Sequence, residues 1–153
     1  LIPAGTLRGN KRGVWAVAFS PTDRIIATAG GDKFIKLWSC DPNAGVQSSC
    51  LRTLEGHTAA VLTLRFISSG TQIVSTGSDG LLVLWGVRTG AAVATLDGHD
   101  DKAWALASDA DGDVLATGGA DAKLTLWEDG TAEAAEEEAK ELAPYTGVDH
   151  ARC

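Results

Sequence analysis

Ile25-Ile26-Ala27-Thr28-Ala29-Gly30-Gly31-Asp32-Lys33-Phe34-Ile35-Lys36-Leu37-Trp38 decides the fold. It is a short apolar run, a Gly/Asp turn, and a second short run that ends in a tryptophan. Runs of this length and composition with turn residues between them read as two strands of a hairpin. The same pattern returns around Asp79 and Trp85, and again around Asp121 and Trp127. Each tryptophan also has a partner upstream. Asn10 of Gly9-Asn10, His57 of Gly56-His57 and His99 of Gly98-His99 each precede their tryptophan by 28 residues. The units therefore recur every 47 and then 42 residues, and the five extra residues fall between Cys40 and Cys50.

Working outward, every unit has the same interior. A first strand is expected at Val14–Phe19, Val61–Ile67 and Ala103–Ala107, and a second at Ile25–Ala29, Ile73–Thr76 and Val114–Thr117. The third is expected at Phe34–Trp38, Leu81–Trp85 and Lys123–Trp127, and the fourth at Cys50–Leu54 and Ala91–Leu96. No helical period appears in these stretches. The fold class is all-β, built from three four-stranded repeats. A period of about 40–45 residues with four strands per unit is that of WD repeats.

These residues carry a resemblance. Residues 5 to about 128 resemble WD-repeat blades of a β-propeller, although Ser39, Gly86 and Glu128 stand where an Asp would follow each tryptophan. The resemblance implies blades offset by one strand. Residues 1–9 would be the outer strand of an edge blade, 10–54 and 55–96 two repeats, and 97–130 a last repeat lacking its own outer strand. Residues 131–143, rich in Glu and Ala, are expected to form an acidic helix, and 144–153 a disordered tail.

The resemblance also implies hydrogen-bonded rows inside each blade. By position these are Asn10, Thr28, Asp32 and Trp38; His57, Ser75, Asp79 and Trp85; and His99, Thr117, Asp121 and Trp127. Buried polar atoms need partners, and a His, a hydroxyl, an Asp and an indole supply donors and acceptors to one another. Asn10 cannot bridge as a ring does, so the first row is expected to be the weakest. The rival reading is a hydrolase using His, Ser and Asp. An active site is not usually copied at one spacing in successive units, so the structural reading is preferred. Asp109–Asp113 opens like a calcium loop, but Val114 and Ala120 occupy the positions that need Gly and Glu. No catalytic residue, cofactor or metal is expected.

Trp15 and Trp104 sit at one equivalent place, with Leu62 between them in the series. The resemblance puts this place near the face where partners dock, and large aromatics there are anchor candidates; packing between blades is the alternative. Gly13, Ala60 and Lys102 lie just ahead on the same expected face.

Charge and cysteines set limits. Net charge is −7, unevenly spread: residues 1–56 hold seven Lys/Arg against four Asp/Glu, whereas 100–153 hold four against fourteen. That acidic end argues against a nucleic-acid module there. Cys40, Cys50 and Cys153 read as free thiols in a reducing compartment. No apolar run is long enough to cross a membrane as a helix. The chain has no Met at all, which suits a fragment or a trimmed chain.

Leu96–Trp104, Lys11–Trp15 and the acidic stretch after Trp127 are similar to the transducin-beta-like WD proteins of the nucleolar small-subunit processome. The final ten residues depart from that group. The resemblance implies a nucleolar scaffold in early ribosomal RNA processing, joined to other proteins of a large assembly and indirectly to precursor RNA. A generic adaptor, ciliary or ubiquitin-ligase and cytoplasmic, is the alternative. Three blades cannot close a ring of the usual four to eight. A homodimer is therefore expected, closed head to tail by exchange of the first strand at Ala4–Arg8.

Overall fold

The computed structural model describes residues 1–3, 5–41 and 50–128. Among these described residues, eleven strands form three antiparallel sheets. The first blade contains β1 (Val14–Phe19), β2 (Ile25–Gly30), β3 (Ile35–Ser39) and β4 (Cys50–Leu54). The second contains β5 (Val61–Ile67), β6 (Gln72–Gly77), β7 (Leu81–Gly86) and β8 (Ala92–Asp97). The third contains β9 (Ala103–Ser108), β10 (Val114–Gly119) and β11 (Leu124–Glu128). Sheet order follows chain order in every blade, so each connection is a hairpin. A single turn of 3-10 helix, Ser68–Gly70, joins β5 to β6.

Strand ends differ from the expected ones by a residue or two. The stretch expected as an outer strand near Ala4–Arg8 is different: Gly5–Arg8 lies in no ladder. A fourth strand needs a third strand to bond to, and among the described residues no strand pairs with 5–8. The acidic helix at 131–143 and the tail at 144–153 lie outside the described residues, as do 129–130 and Cys153. Cys40 and Cys50 are free thiols.

The blades pack face to face, with β1 against β5 and β5 against β9. In the first interface Ala27, Ile35 and Leu37 meet Leu64, Ile73 and Trp85. In the second, Val74 and Leu82 meet Leu106, with Leu115 and Trp127 beside them. Burying each such aliphatic side chain stabilises the fold by about 1.5–3 kcal/mol. The middle blade is covered on both faces and holds most of the fully buried residues. Register shifts recur at equivalent places, between Val14 and Ala16 and between Val61 and Thr63 on the first strands. Such bulges raise the local twist. Among the described residues, no helix is long and apolar enough to cross a membrane.

Candidate functional site: buried rows and exposed tryptophans

The row residues come together because the hairpin register aligns them. Thr28, Ser75 and Thr117 sit on the second strand of each blade, and the tryptophan is the last but one residue of the third strand, ten residues later. Each indole Nε1–H donates to its hydroxyl: Trp38 to Thr28 at 2.9 Å, Trp85 to Ser75 at 2.8 Å, and Trp127 to Thr117 at 2.9 Å. The glycine ahead of each His or Asn has a steric reason. A Cβ on Gly9 would lie 2.8 Å from the Trp38 ring, on Gly56 2.7 Å from that of Trp85, and on Gly98 2.9 Å from that of Trp127. The outer edge of the indole's six-membered ring lies against a backbone that must carry no side chain.

The third row is complete. His99 Nδ1 lies 3.0 Å from Asp121 Oδ1, and His99 Nε2 lies 2.8 Å from Thr117 Oγ1. With Asp121 ionised, Nδ1–H donates to the carboxylate and Nε2 accepts from the threonine hydroxyl. A neutral ring donates once, so it cannot serve both neighbours as donor. The Asp100 and Lys123 amides also donate to Asp121, at 3.0 and 3.1 Å. Desolvation works to raise the Asp121 pKa, but these two amides and His99 outweigh it and hold it at about 2.

The other two rows are progressively looser. His57 Nε2 is 2.6 Å from Ser75 Oγ, but its Nδ1 is buried without a partner. Asp79 instead accepts from the Thr58 hydroxyl at 3.2 Å and the Leu81 amide at 3.1 Å. Burial pushes the His57 pKa below 6.5, and the nearby Asp79 charge only partly offsets it. In the first row Asn10 Oδ1 accepts from Thr28 at 3.1 Å, and Asn10 Nδ2 is buried without a partner. Asp32 accepts from the Lys11 amide and does not bond to Asn10.

The His, hydroxyl and Asp sets are thus internal braces. Ser75 and Thr117 are fully buried, so no substrate reaches their oxygens. Asp109 is used in the same way: its Oδ1 accepts from the Asp113 and Val114 amides and closes the β9–β10 turn.

The two unmatched tryptophans are outside. Trp15 and Trp104 are each more than half exposed, while Leu62 at the equivalent place is buried. The Trp15 ring lies over Gly13 and Gly31, beside the Arg12 stem. Gly13 and Lys102 are exposed and Ala60 is partly covered. Trp15 and Trp104 do not meet: they belong to the outer two of the three blades.

Some bracing residues escaped the sequence reading. Buried Thr76 donates its hydroxyl to the Ala103 carbonyl at 2.9 Å, and Arg65 Nε donates to the Leu106 carbonyl at 3.1 Å. Both tie the second blade to the third. Ala29 and Gly118 stand where Thr76 stands in the other blades, so comparing the repeats conceals it.

Comparisons with known proteins agree with this architecture. The family profile described as WD domain, G-beta repeat, matches residues 2–39, 48–86 and 90–128. The chain is 33% identical to striatin of Rattus norvegicus over 89 residues, which cover 54% of this chain and 11% of the relative. It is 38% identical to nuclear distribution protein PAC1 of Arthroderma benhamiae over 90 residues, covering 54% of the chain and 18% of the relative. The chain therefore spans less than a fifth of the length of these relatives. The profile matches cover most of the sequence, each offset from a blade by one strand so that the second and third begin with the outer strands β4 and β8, and the chain belongs to the WD domain, G-beta repeat family.

Proposed function

We propose that this chain is a non-catalytic scaffold that docks other proteins of a large assembly, and that the assembly is the nucleolar one that processes ribosomal RNA for the small subunit. The observation that carries the scaffold reading is the contrast between the two kinds of functional residue. Among the described residues, both histidines and the hydroxyls they meet are buried inside their blades, while Trp15 and Trp104 are held out with little cover. Large exposed aromatics, with an arginine beside one of them at Trp15 and Arg12, are the composition of docking hot spots. The nucleolar part rests on the wording of Leu96–Trp104 and Lys11–Trp15 and on the acidic stretch after Trp127.

A second reading is an adaptor in another complex, and the relatives favour it: striatin and nuclear distribution protein PAC1 carry WD repeats under names unconnected with ribosomes. Affinity purification of the tagged full chain, with mass spectrometry and RNA sequencing of what is retained, separates the two. The nucleolar reading expects small-subunit processing proteins and precursor ribosomal RNA. Capture of a cytoplasmic complex without that RNA overturns the nucleolar part and leaves the scaffold part standing.

A further inference from the structure

We propose that Asp111-Gly112 is a site of spontaneous backbone modification, at which the Asp111 side chain takes over the peptide bond to Gly112 and leaves a β-linked aspartyl residue in the turn between β9 and β10. The inference rests on the geometry of that turn and not on which assembly the protein serves.

The chemistry is favoured where an aspartate is followed by a residue with no Cβ. The Gly112 amide nitrogen attacks the Asp111 side-chain carboxyl carbon. A C–N bond forms there, and the carboxyl OH leaves with the amide hydrogen as water. The product is a five-membered succinimide. Water then adds to one of its two carbonyls and breaks the C–N bond at that carbon. Opening at the side-chain carbonyl restores the ordinary peptide. Opening at the main-chain carbonyl leaves the chain running through the side chain, with the former main-chain carbonyl as a free carboxylate. The water lost in the first step is regained in the second, and no oxidant or reductant is needed.

The described residues hold three Asp-Gly pairs, and the structure separates them. A fourth pair, Asp129-Gly130, lies outside the described residues. Asp79-Gly80 is locked. Asp79 Oδ1 accepts from the Leu81 amide at 3.1 Å and Oδ2 from the Thr58 hydroxyl at 3.2 Å, while the buried Gly80 donates its amide to the Gly77 carbonyl at 3.1 Å. Asp97-Gly98 is fixed by its backbone. Asp97 pairs with Leu81 at the end of β8, and Gly98 is wedged between Leu82 and the Trp127 ring. An extended residue in a ladder cannot swing its following amide onto its own side chain without giving up the pairing. Asp111-Gly112 has neither restraint. Asp111 is exposed, and among the described residues no hydrogen bond or ion pair holds its carboxylate. Gly112 takes φ +80°, the left-handed place that a glycine fills at the end of a short hairpin turn. Its amide donates to the Asp109 carbonyl at 3.2 Å, the long end of the usual range.

The exposure belongs to the turn and not to the position of its blade. In the middle blade, which has a blade on either side, Ser69 stands where Asp111 does and is exposed as well. Conversion acts on the bracing beside it. Asp109 Oδ1 accepts from the Asp113 and Val114 amides at 2.8 and 3.2 Å, and a Cβ on Gly112 would stand 3.5 Å from the Ser68 nitrogen of the second blade. A β-link adds one carbon to the main chain at this point. The turn then no longer fits both the Asp109 carboxylate and the second blade, and the third blade loosens.

The test is incubation of the purified 153-residue chain in heavy-oxygen water at mildly acidic pH, followed by trypsin digestion in ordinary water and mass spectrometry. Cleavage after Arg65, Arg88, Lys102 and Lys123 puts the three pairs on separate peptides, 66–88, 89–102 and 103–123. Each ring opening leaves one heavy oxygen behind. Peptide 103–123 is expected to take up the label and to split into two chromatographic peaks. The other two are expected to label roughly tenfold more slowly, the protection that a well-bonded segment has against local opening. Equal labelling of the three, or an unlabelled 103–123, overturns the proposal. Asp111→Asn, whose side chain loses ammonia in place of water, is expected to convert faster than wild type. Asp111→Glu, whose ring would be six-membered, is expected to leave 103–123 unlabelled, and label that persists there places the reaction at another aspartate and overturns the assignment. After the same incubation wild type is expected to melt at a lower temperature than Asp111→Glu. Equal melts with 103–123 converted contradict the loosening of the third blade.

Discussion

A single side chain sets how well each blade is braced. The His99 ring ties two partners together, Asp121 and Thr117, whereas Asn10 holds one. Replacing His99 by Ala leaves the buried Thr117 hydroxyl without its acceptor, and an unmet buried polar group costs about 1–3 kcal/mol. His99→Ala is expected to lower the denaturant midpoint clearly and Asn10→Ala much less, because the Asn10 amide already has an unmet donor. Equal losses at the two sites would remove the rows from the account. Acid should act through the same groups in two steps. His57 has a folded pKa below 6.5, so between that value and 6.5 the unfolded chain binds the extra proton. Stability from this group is complete above pH 6.5 and falls below it. Asp121 titrates near 2 when folded against 3.8 for an ordinary carboxyl, so its contribution holds above about pH 4 and is lost towards pH 2. Melting temperatures followed from pH 7.5 to 3 should show both declines, and His57→Gln should remove the first alone.

At the scale of the element, the strands were legible and the turns only partly so. Short apolar runs between Gly/Asp punctuation gave strand positions to within a residue or two, because alternation and turn chemistry are local. Segment 5–8 reads as a strand with equal justice, but pairing is not local: a strand exists only where a neighbour offers its edge. The β2–β3 turn shows what the repeats leave unevenly filled. Gly80 has φ +83°, and at the same place Lys33 has φ 71° and Ala122 φ 66°. A side chain in that left-handed conformation costs about 1–2 kcal/mol, part of which glycine returns as unfolded-state entropy. Ala122→Gly and Lys33→Gly are each expected to stabilise by about 0.5–1 kcal/mol in chemical denaturation. Gly80→Ala should do the reverse, since its Cβ would run into the His99 carbonyl oxygen. A neutral result at both Lys33 and Ala122 would show that the turns relax freely.

For the whole molecule, the rows came from the resemblance to WD repeats, carried over onto positions that recur at one spacing in all three units. The ties through Thr76 and Arg65 were not readable, because each belongs to one blade junction only. The same contrast separates stability from function. Residues copied in all three blades hold the sheets together, and the aromatics that depart from the pattern are free to meet something else. That division is the central claim, and Trp104→Ala tests it most directly, with a thermal melt and partner retention from the tagged chain measured on the same preparation. A melting curve close to wild type with partners lost is the expected result. A fall in stability of about 3–5 kcal/mol, the cost of removing a buried tryptophan, with partner retention unchanged in the fraction that remains folded, would contradict it.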